Sequence, residues 1–129
     1  MKKIALIDDN MVFRKVTKML LKKIGCNEQN ILLFENGSEI YDYMNDNIKK
    51  KGLLPQVLFL DLNMPVMDGW EFLKLFVPFK KHHDYNPKIF ILTSSVDHKD
   101  YKSVMNITTV EDYLIKPIDK ATLSDAIQH

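Results

Sequence analysis

The chain has 129 residues, 46% of them hydrophobic and 27% charged, which is enough for one compact domain around one core. Its 18 basic residues nearly balance its 17 acidic ones, so the formal charge of +1 gives neither a basic field for nucleic acid nor the acidic excess of a disordered chain. The lone cysteine, Cys26, excludes an intramolecular disulfide framework. The first apolar run, residues 4–7, is too short for a signal peptide or a membrane span. We therefore expect a soluble, cytoplasmic protein.

The predicted elements alternate between strand and helix along the chain. Five apolar runs are continuous rather than alternating, which is typical of strands that are buried on both faces of a parallel sheet. In chain order these strands cover residues 4–7, 31–34, 57–60, 89–92 and 113–115. Right-handed crossovers between such strands predict an α/β three-layer sandwich with helices on both faces of the sheet.

Helical spacing of apolar residues fills the segments between the strands. The first three helices have apolar faces formed by Val12, Val16, Met19 and Leu20, by Ile40, Met44 and Ile48, and by Phe72, Leu73 and Phe76. The third helix should end near Pro78, because a proline inside a helix removes a hydrogen bond. Residues 97–105 predict a more polar fourth helix and residues 120–129 a short last one, whereas residues 45–55 and 80–87 should be solvated loops.

Polar side chains follow four of the five predicted strands. Asp8 and Asp9 come after the first strand, Asp61 after the third, Thr93 after the fourth and Lys116 after the fifth. Open parallel sheets bind their ligands at the carboxyl ends of the strands. We therefore expect three carboxylates, a hydroxyl and an ammonium to converge at one edge of the sheet.

This combination of groups is typical of phosphoryl transfer. Carboxylates that lie close together repel one another, and Mg²⁺, which prefers oxygen ligands, would relieve that repulsion. Lys116 would face the remaining negative charge, and the Thr93 hydroxyl would donate to a phosphoryl oxygen. The site then resembles one in which a carboxylate attacks phosphorus.

Each of these residues also has a purely structural interpretation. Asp8 and Asp9 could simply cap the first helix, and a lysine at a strand end is often solvated. Tyr113 could be an ordinary core residue. Asp61 is harder to explain in this way, because an acid that directly follows four apolar strand residues is usually paired or functional.

Five motifs, in order along the chain, match a known family. They are Asp8-Asp9, residues 60–65 (Leu-Asp-Leu-Asn-Met-Pro), residues 67–69 (Met-Asp-Gly), residues 92–94 (Leu-Thr-Ser) and residues 113–117 (Tyr-Leu-Ile-Lys-Pro). Together they resemble the receiver domain of two-component response regulators, of the chemotaxis type, over nearly the whole chain. The resemblance implies a flavodoxin-like (βα)5 three-layer sandwich with a parallel sheet in the order 2-1-3-4-5. It also implies that residues 1–129 form a single receiver domain with no output domain.

The resemblance gives a role to each residue of the predicted site. Asp61 matches the phosphoacceptor, Thr93 the switch hydroxyl, and Tyr113 the aromatic residue that rotates inward with it. Mg²⁺ or Mn²⁺ would be bound by Asp9, Asp61 and the main-chain carbonyl of Asn63, with Asp8 matching a metal-site acid that often acts through a metal-bound water. Lys116 and the amide of Ser94 would bind the phosphoryl group. The peptide bond before Pro117 would be cis.

The function implied is a phosphorylation-controlled signalling switch rather than a metabolic enzyme. A sensor histidine kinase or a histidine phosphotransfer protein would supply the phosphoryl group, which the domain would slowly hydrolyse. Phosphorylation would change binding to a downstream protein, with no direct contact to nucleic acid or membrane, in a monomer or a phosphorylation-dependent homodimer. The face of the first helix that resembles the kinase-docking surface contains Phe13, Arg14, Val16 and Thr17.

Other classes fit the sequence less well. A phosphatase of the haloacid dehalogenase type needs a second acid two residues after its nucleophile, where this chain has Asn63, and the chain has no room for a cap domain. A pseudo-receiver would lose an acid, the acceptor or the lysine, and none is lost. A nucleotide-binding Rossmann protein would have a glycine-rich first loop, which residues 8–11 lack.

Overall fold

The computed structural model describes residues 2–94, 102–103 and 109–128. Within these residues it forms a five-stranded parallel sheet in the order β2-β1-β3-β4-β5. In chain order the elements are β1 (Ile4–Ile7), α1 (Met11–Lys23), β2 (Ile31–Phe34), α2 (Gly37–Asn47), β3 (Val57–Asp61), α3 (Gly69–His83), β4 (Lys88–Thr93), β5 (Val110–Ile115) and α4 (Lys120–Gln128). The flavodoxin-like α/β fold and the strand order 2-1-3-4-5 are confirmed.

The strand register brings the carboxyl ends of the strands to one edge of the sheet. At this edge Ile7 of β1 pairs with Phe34 of β2 and with Leu60 of β3. Farther along, Asp61 of β3 pairs with Leu92 of β4, and Thr93 of β4 with Ile115 of β5. The residues that follow these pairs therefore start their loops side by side.

The two faces of the sheet carry separate cores, as a three-layer sandwich requires. Alternate residues of the central strands point to opposite faces, so that Leu58 and Leu60 join one cluster while Val57 and Phe59 join the other. The first cluster, here the α2/α3 core, includes Ile40, Met44, Phe72, Leu73, Phe76 and Phe79. The second, here the α1/α4 core, includes Leu21, Leu123 and Ala126. Because both faces are covered at the centre of the sheet, strands β1, β3 and β4 contain continuous apolar runs.

The buried face of α1 differs from the predicted one. Val12, Val16 and Met19 are 66%, 50% and 58% exposed, whereas Arg14, Thr17 and Leu21 are buried. The apolar residues of this helix form two stripes, and Arg14 is tolerated in the buried one because its guanidinium donates to the Asp8 carbonyl and forms an ion pair with Glu35, whose side chain is exposed. The predicted docking face was therefore wrong for Arg14 and Thr17, which do not face solvent.

Helix α3 does not end near Pro78 but continues to His83. Phe76 and Phe79 are both buried in the α2/α3 core, so packing on either side of the proline favours continuing the helix despite the missing N–H. The predicted loop over residues 80–87 is accordingly helical at its start. Its Tyr85 is buried, and the Tyr85 hydroxyl donates to the carbonyl of Pro55.

Two further predictions differ from the structure in extent, and a third falls mostly outside the described residues. Residues 45–55 are not all loop, since α2 runs to Asn47 and a short 3-10 turn covers Lys51–Leu53. Strand β5 begins at Val110 because main-chain pairing with β4 continues through exposed polar residues that interrupt the apolar run. The predicted helix over residues 97–105 lies outside the described residues, apart from Lys102 and Ser103, which are helical. No helix in the described part of the chain is long and apolar enough to cross a membrane.

Candidate functional site

Three carboxylates meet at the carboxyl edge of the sheet. Asp8 and Asp61 are buried at 0% and 5% exposure, and Asp9 beside them is exposed. One oxygen from each of the three lies within 4.8 Å of the others. The structure thus brings together the acids that the strand ends predict, and it leaves one side of the cluster open to solvent.

Lys116 contacts two of these acids from the end of β5. Its ammonium forms an ion pair with Asp8 Oδ2 and lies 3.3 Å from Asp61 Oδ2, and only 17% of its side chain is exposed. The main-chain N–H of Lys116 donates to the Thr93 carbonyl at 2.7 Å, which ties this residue to the end of β4. The peptide bond to Pro117 is cis, as the resemblance implied. Lys116 therefore lies against the acidic cluster and is not a solvated strand end.

The environment of Asp61 works against its ionised form. Burial raises the pKa of the Asp61 carboxyl, and the nearby Asp8 charge raises it further. Lys116 and the Asn63 main-chain N–H, which donates to Asp61 Oδ1 at 3.2 Å, pull the pKa back down. An additional cation at this place would favour the ionised form of Asp61 and so counteract the effects of burial and of the Asp8 charge.

The Asp8–Asp9 turn is fixed by main-chain contacts. The Asp8 N–H donates to the Phe34 carbonyl at 3.0 Å, and Asp8 Oδ1 accepts from the Asn10 N–H at 2.8 Å. Arg14 Nη1 donates to the Asp8 carbonyl at 2.6 Å from inside the fold. The predicted docking surface included Arg14, whereas the structure places its guanidinium against the Asp8 carbonyl. An arginine four residues after a helix cap, in line with Thr17 and Leu21, was the available signal.

The loop from β3 to α3 is held tightly against Asp61. Gly69 donates its N–H to the Leu62 carbonyl at 3.0 Å, and Asp68 with Glu71 forms a reciprocal capping box at the start of α3. A Cβ atom at Gly69 would lie 2.5 Å from the Asp61 carbonyl oxygen, so glycine permits this close approach. Asn63, the predicted carbonyl ligand, lies within this loop.

The predicted switch residues are at the ends of β4 and β5. Thr93 is buried at 5% exposure as the last residue of β4, and Ser94 follows it at the surface. Tyr113 is half-buried and packs against the α2/α3 core, where its cross-strand partner is Ile91, two residues before Thr93. Tyr113 is thus part of the core packing, and this position is compatible with a role in switching.

The donor set fits a hard divalent cation. The side-chain ligands that the described residues offer are carboxylate oxygens, which suit Mg²⁺ or Mn²⁺ rather than a metal that prefers nitrogen or sulfur. The open side at Asp9 leaves room for water or a phosphoryl oxygen, which Mg²⁺ commonly retains as ligands. The residues present therefore fit the metal that the resemblance implies.

The fold and the site together define a doubly wound α/β domain with an acidic cluster, an opposing lysine and a buried threonine at its ligand edge. The chain belongs to the response regulator receiver domain family, whose family model matches residues 4–128. Receiver domains act in phosphorylation-dependent two-component signalling as switches rather than enzymes. They generally bind Mg²⁺ at an acidic pocket and interact with histidine kinases and downstream targets.

Individual relatives agree with this family. The chain is 30% identical over 131 residues to hybrid signal transduction histidine kinase F of Dictyostelium discoideum, covering 98% of this chain but only 11% of that protein. It is 29% identical over 126 residues to protein PilG of Pseudomonas aeruginosa, covering 98% of this chain and 84% of PilG. The structure of a two-component response regulator from Cytophaga hutchinsonii superposes with a TM-score of 0.86 at 23% identity, covering 98% of this chain and 94% of that one.

Proposed function

We propose that this receiver domain is phosphorylated on Asp61, with Mg²⁺ bound by Asp8, Asp9, Asp61 and the Asn63 carbonyl. A phosphohistidine on a sensor kinase or a histidine phosphotransfer protein supplies the phosphoryl group. The observation that carries the proposal is the meeting of Lys116 with the buried carboxylates of Asp8 and Asp61.

The residues at the cluster have distinct tasks in this reaction. Asp61 is the nucleophile because it is the acid at the end of the central strand β3, fixed by the Asn63 N–H. One oxygen of Asp61 attacks phosphorus, the bond to the histidine nitrogen breaks, and an acyl phosphate results. Bound Mg²⁺ would supply positive charge against the phosphoryl oxygens and against the three carboxylates.

Lys116 and Thr93 then respond to the new charge. The phosphoryl group brings negative charge beside Asp61, and the Lys116 ammonium, already 3.3 Å from Asp61, turns from the carboxylates to a phosphoryl oxygen. The Thr93 hydroxyl and the Ser94 amide donate to the other oxygens. A shift of Thr93 is coupled to Tyr113 through Ile91, the residue two before Thr93 that pairs with Tyr113, so a local charge change becomes a change of surface.

Intact mass spectrometry tests the proposal. Incubation of the full chain with Mg²⁺ and acetyl phosphate should add one phosphoryl group, and Asp61→Asn should abolish that addition. Asp42→Asn, a matched change at an exposed acid on α2, should be phosphorylated like the wild type. A wild-type chain that binds Mg²⁺ but stays unmodified would contradict the proposal.

The switch has its own readout in Trp70, the single tryptophan of the chain. Trp70 follows Gly69, which packs on the Asp61 main chain, and its ring packs against the α2/α3 core. Its fluorescence should change when Mg²⁺ is added and change again on phosphorylation. Lys116→Ala should keep the first change and lose most of the second, and an unaltered second change would remove Lys116 from its role.

A further inference from the structure

Phe13 occupies a position in the site that the proposed function does not use. Asn10 caps α1 by accepting a hydrogen bond from the Phe13 main-chain N–H at 3.0 Å, so the start of the helix is fixed directly after Asp9. The Phe13 side chain is half-buried against the α1/α4 core. The position of its ring therefore follows from a fixed helix start and from core packing.

The ammonium of Lys116 lies over the face of this ring, 4.6 Å from its centroid. The same ammonium contacts the carboxylates of Asp8 and Asp61. An aromatic face attracts a cation through its quadrupole, and the attraction is larger where the pair is partly shielded from water, as it is here. Within the described residues, Lys116 is thus held by two charged partners and one uncharged partner.

These two kinds of contact respond differently when ligands bind. A metal ion and a phosphoryl group would take up the charge of Asp8 and Asp61, which weakens their hold on the ammonium. The ring carries no net charge and no ligand oxygen, so its attraction for Lys116 persists. An uncharged partner can therefore keep the lysine at the site while the carboxylates change partners.

We propose that Phe13 is a positioning residue for Lys116, which it keeps within reach of the phosphoryl group during transfer. This inference rests on the proposed function at Asp61. Since the lysine loses an oriented partner, Phe13→Leu should slow phosphorylation by acetyl phosphate about 3- to 10-fold. Phe13→Tyr keeps an aromatic face and should remain within about twofold of the wild type.

A spectroscopic readout tests the contact without metal or phosphodonor. Protons beside the face of an aromatic ring resonate upfield, so the ε-methylene protons of Lys116 should be shifted upfield in the wild type and in Phe13→Tyr. In Phe13→Leu they should return to the ordinary lysine position. Retention of the upfield shift in Phe13→Leu would overturn the inference.

Two comparisons separate positioning from packing. In a Lys116→Met background, Phe13→Leu should have no further effect on the phosphorylation rate, because the partner is already gone. Phe90→Leu removes another aromatic ring of the α1/α4 core, one that stacks on Phe59. This control should lower stability while leaving the phosphorylation rate and the Lys116 resonance unchanged.

These experiments distinguish a failure of the positioning role of Phe13 from a failure of the proposed function. Equal phosphorylation rates for Phe13→Leu and Phe13→Tyr, or equal slowing by Phe13→Leu with and without Lys116, would overturn the positioning role alone. A wild-type chain that gains no phosphoryl group would overturn the proposed function and this role with it.

Discussion

Gly69 is the position at which a single added methyl group should disturb the phosphoacceptor most directly. A Cβ atom there would lie 2.5 Å from the Asp61 carbonyl oxygen and 2.9 Å from Leu62 Cα. Both atoms belong to the main chain at the end of β3, so no flexible side chain can move aside. Gly69→Ala must therefore push α3 away from β3 or shift Asp61 itself.

The size of this effect follows from the overlap. Ordinary van der Waals contact begins at 3.4 Å, so α3 and β3 must separate by several tenths of an ångström or more. Overpacking of this kind costs about 1–3 kcal/mol of unfolding free energy. Gly37→Ala, where the nearest atom is Phe72 Cβ at 2.9 Å, should cost less because the overlap is smaller than the 2.5 Å contact at Gly69.

Gly52→Ala is the matched control for this series. A Cβ atom at Gly52 meets none of the described residues within 4 Å, and the backbone there is not left-handed, so alanine should be neutral or stabilise by up to about 1 kcal/mol. Urea denaturation of all three variants gives the free energies, and phosphorylation by acetyl phosphate gives the effect on Asp61. If Gly69→Ala is as stable as Gly52→Ala and is phosphorylated at the same rate, the close approach of α3 to Asp61 is refuted.

Three further predictions concern charge and pH. Burial and the Asp8 charge raise the pKa of Asp61 in the folded state. The contribution of Asp61 to the free energy of unfolding is therefore fully present at low pH, where its carboxyl is neutral, and it is lost as pH rises through the folded-state pKa. Metal-free Asp61→Asn should thus be more stable than the wild type at pH 7, by about 0.5–2 kcal/mol, and the difference should shrink towards pH 4 in denaturant titrations. Mg²⁺ at ten times its dissociation constant should stabilise the wild type by about 1.4 kcal/mol. It should not stabilise Asp9→Ala, and because the Asp9 side chain is exposed, this substitution should otherwise change the stability little. Equal stabilisation of both proteins would remove Asp9 from the metal site. Burial raises the pKa of Tyr85, so stability should fall once pH exceeds the ordinary tyrosine value of about 10. Tyr85→Phe removes the donor to the Pro55 carbonyl and should lower the free energy of unfolding by about 1–2 kcal/mol at pH 7. Above about pH 10 the stability of this variant should fall less steeply than that of the wild type, and an equal slope in both proteins would contradict the assignment.

The sheet and the site edge were predictable from the sequence because both depend on short-range patterns. Strands β1 and β2 match the predicted residues 4–7 and 31–34, because each is an uninterrupted apolar run, although only β1 is buried throughout. The polar groups at the strand ends followed from the topology, because parallel strands bring their carboxyl ends to one edge. Lys116 could be placed near Asp61 on this ground alone.

The errors occurred where tertiary contacts decided between local alternatives. Helix α1 has apolar residues on two stripes, and only the partners of Arg14 show which stripe is buried. Helix α3 passes Pro78 because Phe76 and Phe79 are buried around it, which outweighs the lost hydrogen bond. The contact between Phe13 and Lys116 joins residues about a hundred positions apart, and no periodic pattern in the sequence predicts it.

The central claim is that Asp61 itself carries the phosphoryl group. Acyl phosphates are reduced by borohydride to the alcohol, which would convert a phosphorylated aspartate into homoserine and mark its position for peptide mass spectrometry. After treatment with Mg²⁺ and acetyl phosphate, we predict homoserine at position 61 and at neither Asp8 nor Asp9. Homoserine at another position, or none in a chain that binds Mg²⁺, would contradict the account.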